Sequence, residues 1–102
     1  MVVTKIKDNG KITLKLIGKL GVTTSSQLQE ILDEIVLETN KVELNLRDLT
    51  HLSSAGMRVF LLMHNELKSK GGLLTISNVP LSIKSIFDTS GFGQFLVFID
   101  NP

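Results

Sequence analysis

Asp48-Leu49-Thr50-His51-Leu52-Ser53-Ser54-Ala55-Gly56-Met57-Arg58 is the stretch on which the fold turns. It joins an alternating apolar run, Val42, Leu44 and Leu46, to a long apolar helix pattern. Alternation with a period of two marks a half-buried strand. Asp48 to Leu52 lead out of that strand as a short loop, and Ser53-Ser54-Ala55-Gly56 opens a helix running roughly from Ala55 to Lys68. A serine at that boundary suits an N-cap, because its oxygen accepts one of the backbone N–H groups left unpaired at a helix start. Met57, Val59, Phe60, Leu61, Leu62, Met63 and Leu67 lie nearly all round this helix, which predicts deep burial between layers. Lys70-Gly71-Gly72 stops it, with glycine where a helix commonly ends.

Working toward the N-terminus, Thr39-Asn40 ends an earlier helix whose apolar face is Leu28, Ile31, Leu32, Ile35 and Val36. Thr24 with Gln27 has the form of a capping box at its start. Gly18 and Gly21 break the strand before it, in which Ile12, Leu14 and Leu16 alternate with Lys11, Thr13 and Lys15. Asn9-Gly10 precedes that strand and suits a two-residue hairpin turn, since both central positions need positive φ. Working toward the C-terminus, Leu73 to Ile76 make a strand. Pro80 sits in the first turn of a third helix with Ile83, Ile86 and Phe87 as its contacts. Thr89-Ser90-Gly91 closes this helix, and Phe95 to Ile99 form a last strand. The order β-β-α-β-α-β-α-β over residues 1–102 predicts one α/β domain. Its sheet is mixed and mostly parallel, with about five strands and three helices, because strands joined through helices pair in parallel.

Composition narrows the chemistry. At 102 residues the chain fits a single core. Eleven basic against ten acidic residues leave a net charge of +1, so no overall field draws in nucleic acid or an anionic membrane. The absence of cysteine excludes disulfides and thiolate metal sites. The start, Met-Val-Val-Thr-Lys-Ile-Lys-Asp, lacks a signal-peptide pattern, and no apolar run is long enough to span a bilayer. A cytoplasmic protein without membrane insertion is expected. His51 and His64 match no metal-ligand spacing, and Gly91-Phe92-Gly93 reads as a turn rather than a phosphate loop. Neither a metal nor a cofactor is expected. Lys5, Lys7, Lys11, Lys15 and Lys19 read as edge protection against sheet-to-sheet pairing.

The paired serines allow two readings. One is a simple N-cap. In the other, a serine here accepts a phosphate, whose charge a helix N-terminus stabilises and whose presence repels a docked partner. The whole arrangement resembles the STAS domain of bacterial anti-sigma factor antagonists. The likeness rests on Asp48-Leu49-Thr50, on Ser53-Ser54-Ala55-Gly56-Met57 before an apolar helix, and on Lys70-Gly71-Gly72 before a strand. It rests also on Gly18-Lys19-Leu20 before Thr23 and Thr24, and on Ile83 to Phe92 as the ending of the third helix.

The resemblance implies partner switching. The unmodified antagonist binds an anti-sigma factor and frees a sigma factor. The anti-sigma factor, often a serine kinase using ATP and Mg²⁺, phosphorylates the antagonist and releases it, and a phosphatase resets the cycle. The antagonist has no catalytic activity of its own. The sequence departs from the family's Asp-Ser-Ser-Gly. Aligned on Gly56, Ala55 replaces the usual phosphoserine, Ser54 stands at the preceding serine and Ser53 replaces the aspartate. Gly21 replaces a second aspartate, in the family's Gly-x-Leu-Asp. Ser54 is then the first candidate acceptor and Ser53 the second. The expected partner surface is His51, Ser53, Ser54, an exposed Met57, and Arg58 in the first helical turn. Two other readings stand beside this one. The first is a phosphorylation-independent STAS adaptor in a signalling or lipid-transport assembly. The second is a small serine hydrolase, which the lack of a Gly-x-Ser-x-Gly elbow disfavours.

Overall fold

The computed structural model describes residues 1–99 of the chain. Strand β1 (Val2–Asp8) and strand β2 (Lys11–Leu20) form the antiparallel hairpin, with Asp8 opposite Lys11. Asn9 and Gly10 turn the chain with φ of 51° and 80°, the two positive values the Asn-Gly pair predicts. Ile12, Leu14 and Leu16 are buried on one face of β2, as their alternation requires. Lys15 and Ile17 lie exposed on the other face. The strand does not stop at Gly18. That residue takes φ 101°, the register shifts between Gly18 and Lys19, and pairing resumes to Leu20. The glycine is a bulge inside the strand rather than its end.

Helix α1 (Val22–Ile35) starts earlier than the Thr24-Gln27 pair suggested. Its N-cap is Gly21, and Thr24 is the third helical residue, its Oγ1 accepting the Gly21 N–H at 2.8 Å. Glycine has no side chain to reciprocate, so only half of a capping box exists. Leu28, Leu32 and Ile35 are buried. Strands β3 (Lys41–Asn45), β5 (Leu73–Ser77) and β6 (Val97–Ile99) continue the sheet in the order β1-β2-β3-β5-β6, all in parallel after the hairpin. A sixth strand, β4 (Leu49–Leu52), replaces the expected loop and pairs in parallel with the last residues of β2. Four residues with only their ends buried are too short to show a strand period.

Helix α2 (Ser54–Ser69) follows β4 directly, and helix α3 (Leu81–Ser90) follows β5. Pro80 is the N-cap of α3, one residue outside the helix where it was expected. Gly91 ends α3 in the left-handed region with φ 78°. A 3₁₀ turn over Phe92–Phe95 then takes up the start of the expected last strand. Val42, Leu44, Leu74 and Ile76 join Leu28, Phe60, Met63, Ile83 and Phe87 in one core. Lys41 and Leu73, on the opposite face of the sheet, are exposed. Glu43 lies on that second face but is buried; its carboxylate takes a hydrogen bond from Ser77 Oγ and pairs with Lys11 Nζ, each at 2.6 Å. Helices covering one face only explain why α2 is not buried all round: Leu62 is 53% exposed.

Gly72 makes a very close backbone approach. A Cβ there would stand 2.1 Å from the Asn40 carbonyl oxygen, whereas one on Gly71, at φ 75°, would meet nothing within 4 Å. Gly72→Ala is therefore expected to cost about 3 kcal/mol or more and Gly71→Ala roughly 1–2 kcal/mol. Urea midpoints at constant m-value measure both, and equal costs would contradict the steric assignment. At the hairpin, hydrogen bonds from Lys5 and Lys7 hold the exposed Glu38 carboxyl down from 4.5 to about 2. A depressed carboxyl pKa stabilises the fold above its unfolded value and loses that contribution as pH falls through the folded value. The stability difference between wild type and Glu38→Gln should thus be present at neutral pH and vanish between about pH 4.5 and 2. It should also shrink in about 1 M salt. A pH-independent difference in denaturant midpoint would rule the pairing out as its source.

Candidate functional site

The pairing of β4 with β2 sets Leu20 opposite Leu52, so the two strands end side by side and α1 and α2 begin at the same edge of the sheet. The Ser53 N–H donates to the Leu20 carbonyl at 2.9 Å and closes the gap between the two exits. Gly56 presses the first turn of α2 onto both strand ends. A Cβ there would fall 2.8 Å from Leu20 Cγ and Cδ2 and 2.9 Å from Leu52 Cδ1, and both leucines are buried. Glycine is needed at 56 for closeness, not for an unusual φ.

The two serines have different jobs. Ser53 is the N-cap: its Oγ accepts the Gly56 N–H at 3.1 Å. Ser54 is the first helical residue and exposed, and its hydroxyl makes no hydrogen bond among the described residues. Ser54 opens onto a groove of about 420 Å³ between the starts of the two helices. Ser26 and Gln29 of α1 face Ser54, Arg58, Val59 and Leu62 of α2 across it. Neither helix carries an acidic residue in its first turn, and among the described residues Arg58 is the one ionisable group lining the groove. The rim is positive in character, since helix N-termini carry partial positive charge.

Of the residues expected to form the partner surface, Ser54 and Arg58 line this groove and Ser53 anchors its edge. Arg58 belongs to the second turn, being the fifth residue of α2. His51 is exposed on β4 opposite Lys19, outside the groove lining. Met57 contradicts its expectation. It is 3% exposed, packed in the core, and its sulfur accepts the Ser90 hydroxyl at 3.4 Å. The cause is helical phase, because Gly56, Met57, Phe60, Met63 and Leu67 share the inward side. The apolar residue presented outward is Leu62, which the sequence reading assigned to the core. Its signal lies in the i, i+4, i+8 spacing of Ser54, Arg58 and Leu62, which sets all three on one stripe.

Comparison with known proteins gives a consistent result. The family model described as the STAS domain matches residues 2–101. BtrV of Bordetella bronchiseptica, itself a candidate anti-sigma factor antagonist, is 30% identical over 93 residues, covering 90% of this chain and 80% of BtrV. Among solved structures, the anti-sigma factor antagonist SpoIIAA in its unphosphorylated form superposes with a TM-score of 0.82 at 19% identity, covering 99% of this chain and 89% of that one. The Bacillus cell fate determinant SpoIIAA in its phosphorylated form superposes with a TM-score of 0.78 at 17% identity, covering 99% and 92%. At those identities the two structures speak for the fold alone.

The division of labour between the serines is open to direct measurement. Ser53→Ala removes the cap acceptor and should cost about 1 kcal/mol of stability. Ser54→Ala touches no hydrogen bond and should stay within about 0.5 kcal/mol of wild type. Chemical denaturation of the two variants gives the order, and a reversed order would show that Ser54 is the cap.

Proposed function

This chain belongs to the STAS domain family, and from that premise we propose that it is an anti-sigma factor antagonist, acting in the cytoplasm by binding and not by catalysis. The anti-sigma factor docks over the edge where α1 and α2 begin and lets go of its sigma factor. The names of BtrV and SpoIIAA support the role. The partner is a serine kinase that transfers phosphate from Mg-ATP to Ser54, and a phosphatase reverses the step. The existence of SpoIIAA in a phosphorylated form supports a phosphate on this fold.

One observation carries the choice of residue: Ser54 offers a free, exposed hydroxyl at the groove, while the hydroxyl of Ser53 is held by Gly56. Phosphate on Ser54 adds about 1.5–2 negative charges. The N-terminus of α2 stabilises that charge, so the domain keeps its fold. A docked partner meets both the charge and its bound water, and is released. Ser53 is the poorer acceptor because it is less exposed and its oxygen is already engaged by the Gly56 N–H.

Incubation with a candidate anti-sigma kinase and Mg-ATP, read by intact mass and peptide mapping, tests this. The expected product carries one phosphate, on Ser54, and Ser54→Ala carries none yet still binds the partner. Phosphorylation should weaken binding at least about tenfold, or roughly 1.4 kcal/mol. An unmodified chain that binds the partner tightly would point to a phosphorylation-independent adaptor in a signalling or lipid-transport assembly. Neither modification nor binding by any such kinase would reject the antagonist reading.

A further inference from the structure

We propose that Arg58 is the receiver of the phosphoryl group on a modified Ser54, and that Arg58 and Ser26 close on it across the groove, filling the docking site from within. This rests on the reading of Ser54 as the acceptor. Ser54 and Arg58 are four residues apart on α2 and line the same groove, a spacing that puts their Cβ atoms about 5–6 Å apart on one helix face. An anion one turn N-terminal to a cation is the favourable order for such a pair. Arg58 is exposed and makes no ion pair among the described residues. A cation this near a helix N-terminus gains nothing from the helix dipole, so it is poised for an incoming anion. Its planar fork matches two phosphate oxygens at once, which a lysine cannot do.

The opposite wall supplies the second donor. Ser26 is exposed and its hydroxyl has no partner among the described residues, whereas the Gln29 amide already donates to Asp33 at 2.9 Å. Among the described residues no carboxylate lines the groove to compete for the guanidinium. Modification then does two things together. It introduces negative charge where the partner docks, and it withdraws the groove's one cation from that partner. A switch working by repulsion alone would leave the phosphate mobile and Arg58 free.

The test needs neither kinase nor partner. Phosphoserine is installed at position 54 during synthesis in the wild-type, Arg58→Gln and Arg58→Lys chains, and ³¹P NMR follows the phosphate through its second ionisation, ordinarily near pH 6. That ionisation should lie about half a pH unit or more lower in the wild-type chain than in R58Q, where the side chain is neutral. R58K should recover only part of the shift, and the Arg58 Nε–H resonance should move on phosphorylation. All three chains keep the same helix N-terminus, so the difference isolates the guanidinium, and matched melting transitions establish that R58Q is folded. Failure of this test leaves Ser54 standing as an acceptor, while failure of the kinase assay leaves this result untouched. Superimposable titrations of wild type and R58Q, with an unmoved Arg58 resonance, overturn the proposal.

Discussion

The parallel pairing of a four-residue strand with the end of β2 is the contact on which the rest of the site depends. Leu49–Leu52 add little area to the sheet, yet they set Leu52 opposite Leu20. The Ser53 N–H to Leu20 carbonyl bond then binds the exits of two strands together. The candidate site follows from that juxtaposition. Two helices begin where two adjacent parallel strands stop, so their unpaired N–H groups share one rim. Open parallel α/β sheets commonly use this carboxyl edge for recognition. Here the rim is shaped by Gly56, which lets α2 sit directly on the two buried leucines.

Packing on one face of the sheet has a second consequence. The inward side of α2 is fully used by the core, from Gly56 and Met57 through Phe60, Met63 and Leu67. What α2 offers to a partner is whatever remains on its outer side, and that includes Ser54, Arg58 and Leu62. A hydroxyl, a cation and an apolar residue at one-turn spacing make a small composite surface. Its polar members are exposed and unpaired among the described residues, so a partner or a modification need break no internal bond to engage them.

Much of this was legible from the residues. Asn9-Gly10 specified its turn because only a few residue types tolerate two positive φ values in succession. The alternation of Ile12, Leu14 and Leu16 and the face of Leu28, Leu32 and Ile35 predicted burial correctly, since periodicity is read directly as geometry. The cap role of a serine before α2 was also legible, and the structure assigns it to Ser53. Features fixed by tertiary contact were not legible. β4 exists because β2 runs past Gly18 to meet it, and nothing within Leu49–Leu52 declares that partner. Met57 was read both as part of an apolar helix and as an exposed partner contact beside the serines, because the pattern did not say which side faced inward. Once the pattern has no polar gap, the inward direction is set by the sheet and not by the sequence. The start of α1 was misplaced for a related reason: a glycine N-cap leaves no side-chain signature, and Thr24 mimics one.

The departures from the family's Asp-Ser-Ser-Gly pattern make physical sense as a group. Ala55 stands where the resemblance puts the usual acceptor, yet Ser54 and Ala55 both line the groove, so the proposed shift of the acceptor back by one residue, about 100° round the helix, keeps it on the same rim. Ser53 caps the helix without charge, where an aspartate would cap it with one. An acidic cap next to the groove would attract Arg58 before any modification occurred. Gly21 caps α1 without a side chain, so the start of that helix carries no acid either. Among the described residues the groove lining then holds a single ionisable group, Arg58, and the matching anion of the proposal comes only with modification. On the proposal that Ser54 takes the phosphate, these departures leave Arg58 without an acidic neighbour in the groove and free to answer it.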